Sequence, residues 1–430
     1  MRGRGLGRAP APKRVADELS GNRNLSERGR QIQSDLKDLS DEYFGGDAHP
    51  PPQVEPRDQP RRVAEAMGNS NARVLKTITS YTDAPGSWRR GPTSTEGRHF
   101  DASDRNLLCM DVKGELAVVG SADHGLKVFD TRTCKEKRNL FSKKFGHTEW
   151  VTGCKFLTDG RIVSGGMDSK LCLWHSTALR CDDLPGHIGS ISEIDVNDQN
   201  IAVSASYDRT LRIWNLDAKQ CMATLSGHRE PVTHFAWCGS LVMSGDRKGV
   251  VKIWDCHRGE CIGTHDSKVG AQTGALGHVL SEAMGHLSFV GDQSGVLTVF
   301  DLTRTGTTPV FREVLHPGGV ISSAKGMGHR DMLVTAGADK KILCLDLRMD
   351  LSKVHIFSDH RDYIYSLELL GPLIVSGAGN GWVLVHDVDS GQCCYGLGAN
   401  AAAVRTIFAD KSRLVCAGDD GKAAVYDFSP

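Results

Sequence analysis

The chain has 430 residues, and its 52 Lys and Arg side chains balance its 52 Asp and Glu side chains. A protein that binds nucleic acid through its bulk charge is normally basic, so this balance argues against a nucleic-acid partner. No apolar run approaches the roughly 18 residues of a membrane span, which argues against a membrane protein.

The first hundred residues have a composition of their own. They hold 17 Lys and Arg against 13 Asp and Glu, whereas the rest of the chain is slightly acidic. Residues 49–60 read HPPPQVEPRDQP, which is too polar and too rich in proline to bury a core. We therefore predict that residues 1–70 form a flexible, mostly disordered arm and that residues 71–100 form a linker.

One helix is predicted inside the arm, at residues 25–43. Its apolar residues fall on one stripe of a helix, and Asn24 with Glu27 forms a capping box at its start. Gly29 interrupts the stripe. The stripe consists of Leu25, Ile32, Leu36, Leu39 and Tyr43. Such a helix docks in a groove of a partner protein or remains a transient helix in a disordered tail.

A repeat fills residues 101–430. The phrases SGGMDSKLCLWH, SASYDRTLRIWN and SGDRKGVVKIWD begin at Ser164, Ser204 and Ser244. Equivalent phrase endings recur at intervals of 45, 40, 40, 46, 45, 41 and 40 residues, which gives eight units. The endings are Phe129-Asp130, Trp174-His175, Trp214-Asn215, Trp254-Asp255, Phe300-Asp301, Leu345-Asp346, His386-Asp387 and Tyr426-Asp427.

Each unit has the pattern of four short β-strands. In the second unit, residues 151–156 alternate apolar and polar side chains, and a turn signal follows at 158–160. Two further strand patterns follow, and a more polar fourth one precedes the next Gly-His, as at residues 219–228. Four strands per unit of this length are typical of a propeller blade.

These repeated residues resemble the WD-repeat family. Gly-His begins several units, an Asp stands in the turn, and the Trp-Asp type of ending recurs in register over residues 101–430. The resemblance implies an all-β fold, a closed WD-repeat β-propeller with eight blades. Seven blades, the usual number in the family, are the alternative. The resemblance predicts the fold and leaves the function open.

The resemblance also predicts how the ring closes. The last unit ends after its third strand, and in WD-repeat proteins the segment before the first unit supplies the missing strand. The candidates are residues 72–81 and residues 96–101. We favour the second, because Phe100 falls where Leu225 falls in the third unit.

Two groups of four residues share one spacing, with 21 residues from His to Asp. They are His147, Ser164, Asp168 and Trp174, and His187, Ser204, Asp208 and Trp214. A Ser-His-Asp set supports acyl transfer. Its repetition in neighbouring units favours a structural role, and the resemblance implies a hydrogen-bonded chain from Trp to Asp. We therefore predict no catalytic residues and no enzyme.

The fourth unit departs from this pattern. It keeps His228, Ser244 and Trp254, but Lys248 stands at the position of the Asp. We therefore expect a broken tetrad and a looser blade there.

The cysteines predict neither a metal site nor a disulfide framework. Cys181, Cys221, Cys261 and Cys393 stand at the start of the fourth strand, where a small apolar residue recurs. A metal at the adjacent Cys393 and Cys394 is the alternative, and no cofactor motif is present. The 13 cysteines are odd in number and lack CxxC pairs, which favours the cytoplasm, with the cytoskeleton, a cilium or the nucleus as alternatives.

Partner binding is expected on positions that vary between units. The resemblance places the residues after Gly-His and beside the turn Asp around the channel mouth on one face. Aromatic, Met and Arg side chains there resemble a protein-binding hot spot, although exposed turn residues are often merely polar. The predicted rim residues are Trp150, Met167, Tyr207, Arg209, Arg229, Arg247, Arg361 and Tyr363.

The sequence therefore predicts a non-enzymatic protein–protein interaction scaffold that binds one or more proteins, within a multi-subunit complex, through the rim and the arm. One alternative is a phosphopeptide or substrate receptor of a larger complex, because some phrases resemble the propellers of F-box WD-repeat proteins, although no F-box is seen. The other alternative is a structural component of a cytoskeletal or ciliary assembly.

Overall fold

The computed structural model describes residues 86–428, apart from 142–144, 178–179, 239, 267–271, 282 and 303–307. The predicted arm at 1–70, its helix at 25–43 and the strand candidate at 72–81 lie outside the described residues. Among the described residues, no helix has the length and apolar character needed to cross a membrane.

Short antiparallel strands in eight four-stranded sheets account for nearly all of the regular structure that is described. We call seven of the sheets blades 1 to 7 in chain order. Blade 1 contains β2 (Leu107–Lys113), β3 (Leu116–Ser121), β4 (Leu126–Asp130) and β5 (Lys135–Leu140), and blade 2 contains β6 (Val151–Phe156), β7 (Ile162–Gly166), β8 (Leu171–Trp174) and β9 (Cys181–Leu184). Blade 3 contains β10 (Ile191–Val196), β11 (Ile201–Ser206), β12 (Thr210–Asn215) and β13 (Gln220–Ser226). Blade 4 contains β14 (Val232–Cys238), β15 (Leu241–Asp246), β16 (Val250–Asp255) and β17 (Glu260–Asp266).

The remaining sheets follow the same order. Blade 5 contains β18 (Thr273–Ser281), β19 (Gly285–Asp292), β20 (Val296–Asp301) and β21 (Phe311–Val314). Blade 6 contains β22 (Ile321–Met327), β23 (Met332–Gly337), β24 (Ile342–Asp346) and β25 (Ser352–Phe357). Blade 7 contains β26 (Ile364–Leu370), β27 (Leu373–Ala378), β28 (Trp382–Asp387) and β29 (Gln392–Gly398). Blade 8 contains β30 (Val404–Ala409), β31 (Arg413–Gly418), β32 (Lys422–Asp427) and β1 (Arg98–Asp101). The helices are α1 (Gly86–Arg90) and two 3₁₀ turns at Gly328–Arg330 and Leu347–Met349. The prediction of an all-β, eight-bladed propeller is confirmed.

Burial follows the position of a strand within its blade. The second strands β11 and β27 are buried at every residue, because both of their faces pack against neighbouring blades. The outer strands β5 and β25 are largely exposed and carry polar residues. The core therefore lies between blades, and it unites residues of adjacent sheets such as Ile194 of blade 3 and Leu173 of blade 2.

Strand β1 joins blade 8 to the start of the chain. It pairs antiparallel with β32, and Phe100 stands opposite Ala423 as Leu225 stands opposite Leu211 in blade 3. The Phe100 ring stacks on Phe129 of blade 1 with 4.5 Å between ring centroids. This strand lies within the favoured candidate, residues 96–101, and it covers the edge that β32 would otherwise expose.

The short helix α1 anchors the segment before β1. Trp88 is fully buried, and its ring stacks on Phe428 at a centroid distance of 3.8 Å. Arg89 donates to Asp387 at 2.9 Å and to Asp389 at 3.1 Å. The start of the described chain is thus packed against the last two blades.

Every first strand contains a β-bulge near its start, and the extra residue often reaches the next blade. Thr152 donates to the carbonyl of Ile191 at 2.6 Å, and Ser192 donates to the carbonyl of Val232 at 2.8 Å. These hydroxyl bonds satisfy carbonyls at the blade junctions, where the bulge has interrupted the strand ladder.

Candidate partner-binding rim

Blades 2 and 3 each contain a buried chain of four side chains. In blade 3, Trp214 Nε1 and His187 Nε2 both lie 2.8 Å from Ser204 Oγ, and His187 Nδ1 lies 2.7 Å from Asp208. In blade 2, the corresponding bonds of Ser164 with Trp174, Ser164 with His147, and His147 with Asp168 measure 2.9, 2.8 and 3.0 Å. The predicted tetrads are therefore formed.

The hydrogen bonds of the tetrad in blade 3 all donate in one direction, from Trp214 towards Asp208. An indole N–H only donates, so Ser204 Oγ accepts from Trp214 and its own hydroxyl proton goes to His187 Nε2. Nδ1 of His187 then carries the ring proton and donates it to Asp208. Ser164 and Ser204 are fully buried, so no substrate carbonyl can reach either hydroxyl, and the arrangement stabilises the fold.

The carboxylate of each tetrad holds the rim loop against the turn. Asp168 accepts the backbone N–H of Thr148 at 2.9 Å and that of Lys170 at 3.2 Å. Asp208 accepts the N–H of Ile188 at 3.2 Å and that of Thr210 at 3.0 Å. One buried carboxylate thus fixes two surface segments of the same blade.

The ionisation of the tetrad in blade 3 follows from its burial. Burial lowers the pKa of His187, so the ring is neutral at neutral pH. Burial alone would raise the pKa of Asp208, but the hydrogen bond and charge of His187 outweigh burial and lower that pKa to about 2. The pair is therefore a neutral imidazole that donates to a carboxylate.

Blade 4 corrects the expectation of a broken tetrad. Asp246, two residues before Lys248, accepts from His228 Nδ1 at 3.0 Å, and Ser244 Oγ lies 2.7 Å from His228 Nε2. Trp254 donates to Ser244 at 2.8 Å, so the chain of four is complete. The carboxylate at the end of β15 reaches the imidazole as well as one in the turn does, because both positions lie beside the loop.

The loop after Gly-His and the turn between the second and third strands meet at one edge of each blade. The backbone N–H of Met167 donates to the carbonyl of Trp150 at 2.8 Å, and the equivalent bond joins Arg247 to Pro231 at 3.0 Å. In blade 7, the N–H of Gly379 donates to the carbonyl of Tyr363 at 2.8 Å. The predicted rim residues therefore lie on the loop and turn side of their blades.

The predicted rim residues fall into two groups. Six belong to the adjacent blades 2, 3 and 4, and Arg361 and Tyr363 belong to blade 7, across the ring. The six are Trp150, Met167, Tyr207, Arg209, Arg229 and Arg247. Ser190 of blade 3 donates to the carbonyl of Met167 at 3.0 Å, so neighbouring blades are also tied together at this edge. These six residues lie at the loop and turn edge of three adjacent blades, and we call them the blade 2–4 rim.

A second cluster surrounds Tyr363. Its ring stacks on Tyr365 at a centroid distance of 4.5 Å, and the Arg405 guanidinium lies 4.4 Å from the centre of the Tyr365 ring. Arg405 also donates to both carboxylate oxygens of Asp419 at 2.9 Å. Burial raises the pKa of Tyr363 to about 12, so its hydroxyl stays protonated at neutral pH.

Comparisons with known proteins agree with this geometry. The family model of the WD domain, G-beta repeat, matches residues 139–175, 179–215 and 219–255, which end in blades 2, 3 and 4. Blades 2, 3 and 4 therefore contain WD40 repeats.

Similarity to curated relatives is moderate. Eukaryotic translation initiation factor 3 subunit I of Caenorhabditis briggsae is 28% identical over 233 residues, which cover 50% of this chain and 69% of the relative. Protein tipD of Dictyostelium discoideum is 24% identical over 293 residues, covering 61% of this chain and 45% of tipD. The chain is thus similar to proteins with different names.

Solved structures share the fold. The Saccharomyces cerevisiae Sqt1 structure has a TM-score of 0.69 and 14% identity, covering 77% of this chain and 98% of Sqt1. The computationally designed Ika8 protein has a TM-score of 0.67 and 22% identity, covering 76% of this chain and 98% of Ika8. These likenesses establish the propeller architecture.

Two residues of the cluster around Tyr363 were missed in the sequence analysis. Tyr365 and Arg405 occupy the bulge positions of β26 and β30, where blades 2 and 3 have Thr152 and Ser192. The available signal was a large polar side chain at a position that holds Ser or Thr in blades 2, 3, 4 and 6. Unlike Thr152 and Ser192, these two side chains stack on each other across the junction of blades 7 and 8.

The repeated cysteines lie opposite the residue that ends each unit. Cys181 pairs with Trp174, Cys221 with Trp214, Cys261 with Trp254 and Cys393 with His386. The cysteines whose side chains the structure describes are free thiols.

Proposed function

We propose that this chain is a non-enzymatic protein–protein interaction scaffold that holds one partner protein on the blade 2–4 rim and another through residues 1–70. The observation that carries the proposal is the blade 2–4 rim itself. It combines Trp, Tyr, Met and Arg side chains, the types enriched in binding hot spots, on loops that buried tetrads fix from below. A rim ordered before binding loses little entropy when a partner docks.

The relatives support a place in a multi-subunit complex. One relative is named as a subunit of a translation initiation factor, and a Trichoplax adhaerens relative, 20% identical over 322 residues, is named a ribosome biogenesis protein. WD-repeat propellers generally bind other proteins, and their fold typically acts as a scaffold without catalysis. The free thiols of the described residues favour a reducing compartment, and we place the complex in the cytoplasm.

The test compares two tryptophan surfaces. Full-length protein, its W150A/Y207A variant and a control W382A variant serve as baits for quantitative affinity capture. Trp382 lies at the start of β28 in blade 7, across the ring from the blade 2–4 rim, and is 48% exposed. We expect the rim variant to lose a partner by about tenfold or more while W382A retains it. Equal recovery by all three baits would contradict the rim as a binding surface.

The arm requires a separate truncation. A variant that lacks residues 1–70 should fold with the same thermal unfolding midpoint, retain the partner of the rim and lose a second partner. Recovery of an unchanged set of partners would remove the arm from the proposal and leave the rim in place.

A phosphopeptide receptor is the second candidate function. Arg209, Arg229 and Arg247 lie on the neighbouring blades 3 and 4, and clustered guanidinium groups bind phosphate by paired hydrogen bonds. Arg405 is outside this group, because it lies on β30 in blade 8. The R209E/R247E variant should abolish capture of a partner that phosphatase treatment also releases. Capture that neither treatment reduces would exclude this function.

A further inference from the structure

Blade 7 replaces two residues of the repeat together. His386 stands where blades 2 to 4 have the tetrad Trp, and Asp359 stands where they have the Gly of Gly-His. A Cβ atom would lie 2.7 Å from the Trp174 ring on Gly146 and 2.9 Å from the Trp214 ring on Gly186, so the Trp of blades 2 and 3 favours glycine at this position. The smaller imidazole of His386 leaves room for the Asp359 side chain. Asp in place of Gly is therefore accommodated because His replaces Trp.

The two new side chains bond to each other. His386 is fully buried, and its Nε2 lies 3.1 Å from the Asp359 carboxylate, which is 50% exposed. Cys393 stands directly opposite His386 in the pairing of β28 with β29. One ligand atom from each of these three residues lies within 4.8 Å of the other two.

This cluster carries negative charge without a balancing cation. Within the described residues, Asp359 forms an ion pair with His386 and with no Lys or Arg side chain. The equivalent cysteines of blades 3 and 4 differ, since Arg212 and Lys252 lie 3.6 and 3.9 Å from Cys221 and Cys261.

We propose that Asp359, His386 and Cys393 form a binding site for a divalent transition-metal ion of the zinc class. Carboxylate, imidazole and thiolate are the three ligand types that zinc uses in proteins, and three protein ligands leave a fourth position for water. Zinc bonds of about 2.0–2.3 Å hold ligand atoms about 3.5 Å apart, so the ligand atoms need to approach one another by no more than about 1.3 Å.

The ligands can close on the ion with one proton released. The thiol of Cys393 loses its proton to solvent as the metal–sulfur bond forms. In the structure, Nε2 donates to Asp359, so it coordinates the metal after the ring proton has moved to Nδ1. His386 Nδ1 is buried and has no hydrogen-bond partner among the described residues, so the tautomer shift breaks no bond there.

A second cluster in blade 2 is a weaker candidate. Cys172, Cys181 and Asp183 also bring their ligand atoms within 4.8 Å of one another. Lys170 Nζ lies 3.2 Å from the Asp183 carboxylate, so a cation already neutralises that group. The cluster of blade 7 has the open, exposed carboxylate that an incoming ion requires.

The experiment titrates cobalt(II) into full-length protein that has been stripped with chelator. We expect about one equivalent to bind per chain, with a thiolate charge-transfer band and visible bands of tetrahedral cobalt. Zinc should displace the cobalt and abolish the bands. Absence of the thiolate band, or no binding above the chelator-treated background, would overturn the proposal.

Three variants locate the ion. C393S and the double variant D359G/H386W should weaken binding by more than about tenfold, and C394S is the matched control that retains it. D359G/H386W rebuilds the Gly and Trp of blades 2 to 4, so it separates loss of the metal from loss of the fold. Binding that persists in both site variants and disappears in C172S would place the metal in blade 2 and refute the site in blade 7.

Discussion

Blades 2 to 4 and blade 1 reach the same four-stranded form with different residues beneath the rim. Blades 2 to 4 contain the full chain from Trp to the carboxylate. At the equivalent positions blade 1 has Ala102, Val119, Asp123 and Phe129. Its strands pair in the same order. The tetrad is therefore dispensable for forming a blade, and its role is to hold the rim loop to the turn.

Blade 1 holds its loop in another way. Ser103 donates to Asp123 at 2.6 Å, and Ser121 lies 2.9 Å from Ser103, so two hydroxyl groups take over the role of the imidazole. A partly open pocket of about 230 Å³ lies beside these residues and is lined in part by Ala102, Val119 and Asp123. Compensation within one blade thus replaces several residues together.

The largest expected effect comes from removing the imidazole without this compensation. H187A removes the hydrogen-bond partner of the buried Asp208 carboxylate and of the buried Ser204 hydroxyl. It should cost about 3 kcal/mol or more of unfolding free energy, because each stranded group costs about 1–3 kcal/mol. The variant H187A/I188S/S204V/W214F gives blade 3 the residues of blade 1. It should be more stable than H187A by at least about 1 kcal/mol, measured by urea unfolding.

The H187A variant and the fourfold variant can also contradict this interpretation of blade 1. If the fourfold variant is as unstable as H187A or more unstable, the serine network of blade 1 does not substitute for a tetrad. The substitution S412A, at an exposed hydroxyl of the turn after β30, serves as the control for a polar group outside any tetrad.

The sequence predicts what regular spacing determines. The eight endings predict eight blades, and the repeated His, Ser, Asp and Trp predict the tetrads of blades 2 and 3. Asp246 escaped prediction because a carboxylate can reach the imidazole from two positions along the chain, and spacing distinguishes only one of them. The binding role of the blade 2–4 rim stays a prediction.

Contacts between blades are harder to predict than contacts within them. The Tyr365–Arg405 stack depends on two bulges whose side chains meet at a junction, and no repeat places a residue there. The Asp359–His386 bond was accessible in principle, because both residues occupy repeat positions. It required knowing that glycine precedes the tetrad His because of the Trp ring.

Acidification should have the next largest effect on stability, and it should distinguish a blade with a tetrad from a blade without one. The pKa of His187 is lowered from 6.5, so its contribution to stability is present above pH 6.5 and is lost as the pH falls through its folded value. The pKa of Asp208 falls from 3.8 to about 2, so its contribution is lost on further acidification towards about pH 2. Both contributions act in one direction, and stability decreases as the solution becomes acidic.

The His187–Asp208 pair gives the expected size of this loss of stability and the control variant. The shift of Asp208 corresponds to about 2 kcal/mol at about 1.4 kcal/mol for each pKa unit. Urea midpoints measured between about pH 7 and pH 2 should fall more steeply for the natural protein than for H187A/I188S/S204V/W214F, which lacks the imidazole. Parallel profiles would show that the buried His187 does not govern acid sensitivity.

Lys248 gives the smallest expected effect and decides whether blade 4 belongs with blades 2 and 3. Its ammonium group pairs with Glu230 at the surface, where it is 65% exposed, so K248A should change the unfolding free energy by less than about 0.5 kcal/mol. Amide hydrogen exchange in β15 and β16 should be as slow as in β11 and β12, because Asp246 completes the tetrad. Fast exchange in blade 4, or a K248A loss above about 1 kcal/mol, would mean that Asp246 does not act as the missing carboxylate.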